Sequence, residues 1–337
     1  MRRLLADIHR HDIEAAIRVA VAVGVPLLAL DAIGRLDLAV YAAFGGLAML
    51  YGHSEPVKQR VASQIVAGAG LVLTIAVAMA WSAAQAPLAV LGILLAVTVI
   101  AAATLGAAMR WVPRGEMFFV LVLLIIANVP TSWDRLPLGI AVGAGGAALS
   151  VLLARLIRAG RDGDEAKSDG WRRRFAAGYA ALDHGQHLVL IAAATLGVLS
   201  AWVLALVLGV GNPFWAAVTV AALMPALTAA DVWRRTLHLM LGTLGGVGIA
   251  TFLFSFDPGH LALIAIIIVC QGAAEIAVSR NYGVALLFFS PLAIGMSNLS
   301  RGAAWQPLLV DRLSEAALGT AVAFVTILVG RRILKIA

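Results

Sequence analysis

Residues 61–109 read VASQIVAGAGLVLTIAVAMAWSAAQAPLAVLGILLAVTVIAAATLGAAM, forty-nine positions without one Asp, Glu, Lys or Arg. A membrane-crossing helix needs about 20 mainly apolar residues, so this run is too long for one crossing. Its middle, Trp81-Ser82-Ala83-Ala84-Gln85-Ala86-Pro87, carries the turn that divides it. The apolar residues do not alternate with polar ones, and hydrocarbon offers no water to backbone groups, so the run reads as helices. Residues 184–230 repeat the pattern, again without a charged residue and with Gly209-Val210-Gly211-Asn212-Pro213 as the break.

Outward from these two runs the whole chain has the same character. Of its 337 residues 62% are apolar and 13% charged, against about 45–50% and about 25% in soluble domains. A water-soluble enzyme is excluded. Gaps between charges and Gly/Pro punctuation divide the chain into twelve spans, near 15–33, 38–52, 61–80, 87–108, 116–130, 136–157, 187–208, 213–229, 236–255, 260–277, 281–299 and 312–331. Twelve spans use roughly 240 positions and leave about 97 for connections, which excludes a large soluble domain. Met1 to Arg18 is rich in charge and has no signal-peptide core, so the N-terminus is expected to be retained. The single cysteine, Cys270, allows no internal disulfide and reads as an apolar filler.

The formal charge of +7 does not mark a nucleic-acid binder, because the basic residues are scattered between spans. They set orientation. With a cytoplasmic N-terminus, 20 Lys and Arg fall inside and four fall outside (Arg35, Arg135, Arg301, Arg312), with Arg18 near the inner end of the first span. Both termini are therefore expected in the cytoplasm of a cell whose inner membrane holds the protein.

The chain also repeats itself. A shift of 174 lays Val40-Tyr41-Ala42-Ala43 on Phe214-Trp215-Ala216-Ala217, Arg60 on Arg234 and Gly68 on Gly242; a shift of 177 lays Asp134-Arg135-Leu136 on Asp311-Arg312-Leu313. The expected architecture is all-α: a polytopic helical membrane protein of about twelve transmembrane helices as two parallel six-helix repeats, residues 1–157 and 186–337, joined by a cytoplasmic linker, 158–185. An even number of spans per copy predicts a pseudo-two-fold axis along the membrane normal, a transporter architecture with its pathway between the copies. The linker is rich in both charges. It reads as a solvated connection or, over Trp171–Leu182, as a short amphipathic helix on anionic headgroups.

Two stretches of the second copy carry a resemblance. They are Asn212-Pro213-Phe214-Trp215-Ala216-Ala217 through Trp233-Arg234-Arg235 to Leu241-Gly242-Thr243-Leu244-Gly245-Gly246, and Ser279-Arg280-Asn281-Tyr282-Gly283-Val284 through Ser290-Pro291-Leu292. The chain resembles the fusaric acid resistance (FUSC), or aromatic acid exporter, family, and more distantly the aluminium-activated malate transporters, which are anion channels. The resemblance implies an inner-membrane efflux protein for small organic, often aromatic, carboxylates. Many relatives carry a cytoplasmic domain after each membrane unit, and none is expected here. The family tends to place a basic residue four positions before the Gly-Thr pair, where this chain has His238 and, in the first copy, Gln64.

The residues themselves suggest where an anion would be held. Arg234, His238 and Gly242 share one helical face at i, i+4 and i+8, with Arg235 beside them, and Arg60 is the matching cation of the first copy. Arginine grips carboxylates, although a loop arginine can also simply snorkel to the headgroups. Arg18 within the first span, and Arg280 with Tyr282 at the head of the eleventh, are further pathway candidates on the ground that intramembrane ionisable residues face cavities. Proton-coupling candidates are Glu275, Glu116, Glu55 and His53, with His238 and Glu315 behind them. Glu275 leads because it follows the long apolar run Leu261–Ala274, with an ion pair to Arg280 as the competing reading. Gly242 with Gly246, and Gly68 in the first copy, read as helix-packing glycines.

No Gly-x-x-x-x-Gly-Lys-Ser/Thr loop and no metal-ligand motif occurs. The expectation is therefore a transporter without cofactor, not an enzyme, exporting organic acid anions on the proton gradient or membrane potential. A passive anion channel and a non-transporting envelope scaffold are the alternatives. Expected partners are the acid substrate and membrane lipids; a second copy of the chain and a periplasmic adaptor stay open.

Overall fold

The computed structural model describes residues 10–52, 55–111, 116–156, 170–228, 232–278, 281–302 and 304–335, and among them every regular element is helical. The first copy supplies α1 (Arg10–Ala32), α2 (Ala39–Gly46), α3 (Val57–Ala83), α4 (Leu88–Met109), α5 (Glu116–Ala127) and α6 (Leu136–Leu156). A short helix, α7 (Trp171–Ala180), follows. The second copy supplies α8 (His184–Val207), α9 (Phe214–Leu223), α10 (Val232–Phe254), α11 (His260–Val278), α12 (Tyr282–Arg301) and α13 (Trp305–Leu334). Short 3-10 turns flank α2, precede α6 and follow α9. All twelve expected spans have a helix at their position.

Among the described residues, nine helical stretches are long and apolar enough to cross a membrane. The outer surface of α4 shows why lipid is the only solvent that suits them. Leu91, Leu95, Val99 and Ala102 are buried on one face, while Ile93, Val97 and Ile100 stand exposed on the other. A helix apolar all round would expose in water a patch that soluble proteins rarely tolerate. The protein is a multi-pass helical membrane protein.

Three positions are occupied by shorter helices. At 1.5 Å per residue, α2, α5 and α9 extend about 12, 18 and 15 Å, against a hydrocarbon core of about 30 Å. Burial explains how they persist. All eight residues of α2 are buried, as are ten of the twelve in α5 and nine of the ten in α9. Backbone that ends at membrane depth is tolerated where protein surrounds it.

Local chemistry sets several helix ends. The Asn281 side chain accepts hydrogen bonds from Gly283 N (3.0 Å) and Val284 N (3.3 Å) at the start of α12, and Asp183 accepts from Gln186 N (3.1 Å) at the start of α8. Helix α4 closes on Arg110, and α12 on Gly302, both in the left-handed region.

The chain forms two compact units. The first comprises residues 1–69, 141–168 and 237–310; the second comprises 70–140, 169–236 and 311–337. In the first, α1 packs on α11, α11 on α12, and α2 against α1 and α12. In the second, α8 packs on α4, α4 on α5, and α9 against α8 and α5. The two sets correspond position by position. In each unit the first helix of one copy lies on the fourth of the other, so each unit draws helices from both copies.

Within the first unit α2 and α6 touch backbone to backbone. A Cβ on Gly45 would overlap the Gly143 carbonyl, and one on Gly146 would overlap that of Ala42 and lie 2.9 Å from Gly46 N. Ser150 Oγ donates across the same contact to Gly46 O at 3.0 Å. Gly68 of α3 fits against Ala147 and Ala48, whose Cβ atoms would lie 3.1 and 3.4 Å from an added methyl. Within the second unit α7 docks on the end of α4. Gly178 leaves room for the Ala108 carbonyl, and Arg174 Nη2 donates to Met109 O at 2.6 Å. The linker is helical over Trp171–Ala180.

Candidate functional site

The polar interior of the first unit gathers residues from three helices and a loop. Arg18, in the middle of α1, is only 2% exposed, and no described residue hydrogen-bonds its Nε or Nη1. Its charged neighbours are Arg60 of α3, Glu275 of α11 and Glu14, one turn earlier on α1. Arg60 is 1% exposed; its Nη2 donates to the Ala154 carbonyl of α6 at 2.9 Å, and Glu55 interacts with it electrostatically. Glu55 in turn accepts from Ser63 Oγ at 2.7 Å. Two guanidinium groups therefore share one interior.

Removing a charge from water costs several kcal/mol unless a partner replaces the hydration. Buried donors without acceptors add about 1–3 kcal/mol each. Both costs fall when an anion enters beside Arg18. The arrangement is suited to holding a carboxylate.

Gln64 lies one turn beyond Arg60, fully buried, and its amide donates to the carbonyls of Met49 (3.2 Å) and Tyr51 (3.4 Å). It ties the end of the second span to α3. Gln64→Leu removes both hydrogen bonds, at about 0.5–1.5 kcal/mol each, and a thermal melt of the purified variant is expected to show a loss of about 1–3 kcal/mol of stability. An unchanged melting temperature would remove this tie from the account.

Not every expected residue joins the centre. Arg234, the repeat partner of Arg60, is exposed, and Arg235 Nη2 donates to Ala222 O at 3.1 Å; both belong to the second unit. His238 is half-buried on the following turn of α10, against Gly283. Gly242 and Gly246 face α12. A Cβ on the former would overlap the Gly283 carbonyl, and one on the latter would come within 2.7 Å of the Leu286 carbonyl. Their role is close helix packing. Tyr282 is half-buried beside the Asn281 cap. His53 and Arg280 lie outside the described residues.

The second unit holds two further polar features. Glu315 of α13 is fully buried; its Oε1 accepts from Asn212 N at 2.8 Å, while the Asn212 amide donates to Asp311 at 2.6 Å. Arg312, between the two acids, stacks on the Trp215 ring with its guanidinium carbon 4.4 Å from the centroid. The loop before α9 is thereby fastened to α13. Elsewhere in the unit, a cavity of about 460 Å³ opens among the end of α4, the head of α5, the first turns of α8 and the 3-10 turn after α9. Glu116 lines it, buried to 6% exposure, with Arg110, Trp111, Gln186 and His187.

Sequence reasoning missed Glu14 and this cavity. Glu14 and Arg18 stand at i and i+4, the spacing of a helical ion pair, which was a usable signal. The cavity had none, because four separated stretches build it.

Residues 199–326 match the family model described as fusaric acid resistance protein-like. The chain carries a fusaric acid resistance-like segment. It runs from α8 into α13 and holds Glu275, Tyr282 and Glu315; Arg18 and Arg60 lie before it. The chain is also similar to the uncharacterized membrane protein YvaC of Bacillus subtilis (strain 168), 28% identical over 148 residues. That match covers 43% of this chain and 24% of the relative, so it spans about a quarter of the relative's length. No solved structure matches.

Proposed function

We propose that the protein exports small organic acid anions, aromatic carboxylates foremost, across an inner membrane, with both termini in the cytoplasm. The observation that carries the reading is the buried Arg18, with donors that no described residue satisfies, beside a second buried arginine. The fusaric acid resistance-like segment supports the same class of substrate. Arg18 and Arg60 receive the carboxylate, and the apolar helices around them accept its ring. Glu275 is an acid on a neighbouring helix that interacts electrostatically with Arg18 and competes with the substrate for it. Entry of an anion releases that carboxylate for proton exchange.

The driving force separates the proposal from a channel. A monovalent anion leaving a negative interior gains about 2.3 kcal/mol per 100 mV, so voltage alone can move it. In proteoliposomes loaded with labelled benzoate, export at zero potential that requires a pH gradient marks a coupled carrier. Current that follows voltage without any pH gradient marks a channel, and flux no greater than that of empty vesicles overturns both.

Orientation has its own test. A fluorescent protein fused to the C-terminus is expected to mature and glow, because the distribution of basic residues supports a cytoplasmic C-terminus. A dark fusion, paired with an active periplasmic reporter at the same site, reverses the assignment.

A further inference from the structure

The interior of the second unit carries few charges. Residues 184–230, which supply α8, the loop before α9 and α9 itself, hold no Asp, Glu, Lys or Arg, and their histidines stand at the opposite end of α8 from that loop. Glu315 of α13 faces this stretch with 0% exposure. Its two oxygens have different surroundings. Oε1 accepts from Asn212 N at 2.8 Å, whereas no described residue makes a hydrogen bond to the buried Oε2. The Trp215 backbone also faces the carboxyl but gives its N–H to Asn212 O at 3.1 Å. Among the described residues, the charges that act on Glu315 are Asp311 and Arg312 of its own helix. Asp311, one turn earlier on the same face, is half-buried and accepts from Asn212 Nδ2 at 2.6 Å.

Two acids and one arginine leave this cluster with one negative charge. A buried carboxylate oxygen without a donor is a costly place for it, and one proton on Oε2 removes the charge. A divalent metal ion fits less well, because it seeks about six or more oxygen ligands and Arg312 repels it. We infer that Glu315 is a proton-binding site and that the proton gradient drives export through it. The inference rests on the export reading and names the acid that carries its proton in the second unit, while Glu275 answers the substrate in the first. In the proposed orientation Asp311 lies toward the outer end of α13. A proton arrives there from outer water, forms an O–H bond at Oε2 one turn inward and returns to inner water as the cycle closes. Its arrival also changes the packing. Charge-assisted hydrogen bonds are about twice as strong as neutral ones, so protonation weakens the hold of Oε1 on Asn212 N and lets the loop before α9 move away from α13.

Glu315→Gln tests it, because the amide keeps an oxygen for Asn212 N and removes the group that can ionise. The purified full-length protein in detergent should give a pH-difference infrared spectrum containing a protonated-carboxyl band that the variant lacks. In proteoliposomes at zero potential, the ratio of benzoate export with acid outside to export without a pH gradient should fall to one in Glu315→Gln. Glu315→Asp retains a carboxyl one methylene shorter, so its ratio should be intermediate, and it carries the comparison if the glutamine variant does not fold. Asp134→Asn should keep the wild-type ratio. Asp134 is the repeat counterpart of Asp311 but is exposed, and the same shift puts Leu138 where Glu315 stands. A wild-type ratio in Glu315→Gln overturns the inference, as do spectra of the two proteins that coincide. A wild type that exports no benzoate while its Glu315 band still titrates counts against the export reading and leaves the proton site standing.

Discussion

Arg18→Gln is expected to lower carboxylate efflux about 10–100-fold while the protein still inserts and purifies as wild type. The magnitude follows from the loss of charge-assisted hydrogen bonds worth about 1.5–3 kcal/mol, with about tenfold for every 1.4 kcal/mol. Glutamine keeps most of the length and part of the hydrogen-bonding capacity of the side chain but removes the charge, so the variant separates charge from packing. Arg18→Lys should recover part of the flux, because an ammonium attracts the anion but lacks the planar fork. The informative control is Arg234→Gln. Arg234 matches Arg60 in the repeat yet is exposed, and surface substitutions stay within about 0.5 kcal/mol, so efflux should change by no more than about twofold. Initial rates in proteoliposomes at equal protein density decide the matter. If Arg18→Gln transports at the wild-type rate, or Arg234→Gln is the variant that stops it, the buried arginine is not the anion site.

The second large effect concerns folding. Gly146 and Gly145 are neighbours on α6, but the first points into the Ala42 carbonyl of α2 and the second has no atom within 4 Å of an added Cβ. Leucine at 146 must push α2 off α6 and break the bridge from Ser150 to Gly46. Overpacking a close contact costs about 1–3 kcal/mol, and here the obstacle is backbone, which cannot rotate away. Gly146→Leu is therefore expected to melt many degrees below wild type or to aggregate on extraction, whereas Gly145→Leu should be indistinguishable from wild type in a melt and in gel filtration. Equal behaviour of the two variants would mean that α2 and α6 do not meet in this register.

The contrast between neighbouring glycines also shows where reading a sequence stops. The long spans were legible because hydrocarbon imposes one rule on every lipid-facing residue, and the charge-free run 61–109 with its Trp81–Pro87 break leaves no alternative to α3 and α4. The short helices α2, α5 and α9 look equally apolar, since a helix buried in protein needs the same residues as one facing lipid. Their brevity depends on neighbours, which periodicity does not report. Site residues divide in the same way. Arg18 stood out as a charge within an apolar span, whereas Arg60 was found only as the repeat match of Arg234, which made those two look equivalent. The structure buries one and exposes the other, a difference made by tertiary packing.

The exchange of helices between copies has a consequence for biosynthesis. When the ribosome has delivered the first copy, α1 and α2 have no α11 or α12 to lie on, and α4 and α5 await α8 and α9. Either bundle closes only after much of the second copy has entered the bilayer. A nascent chain halted at the linker should stay a loose set of hairpins, open to the membrane's quality-control proteases.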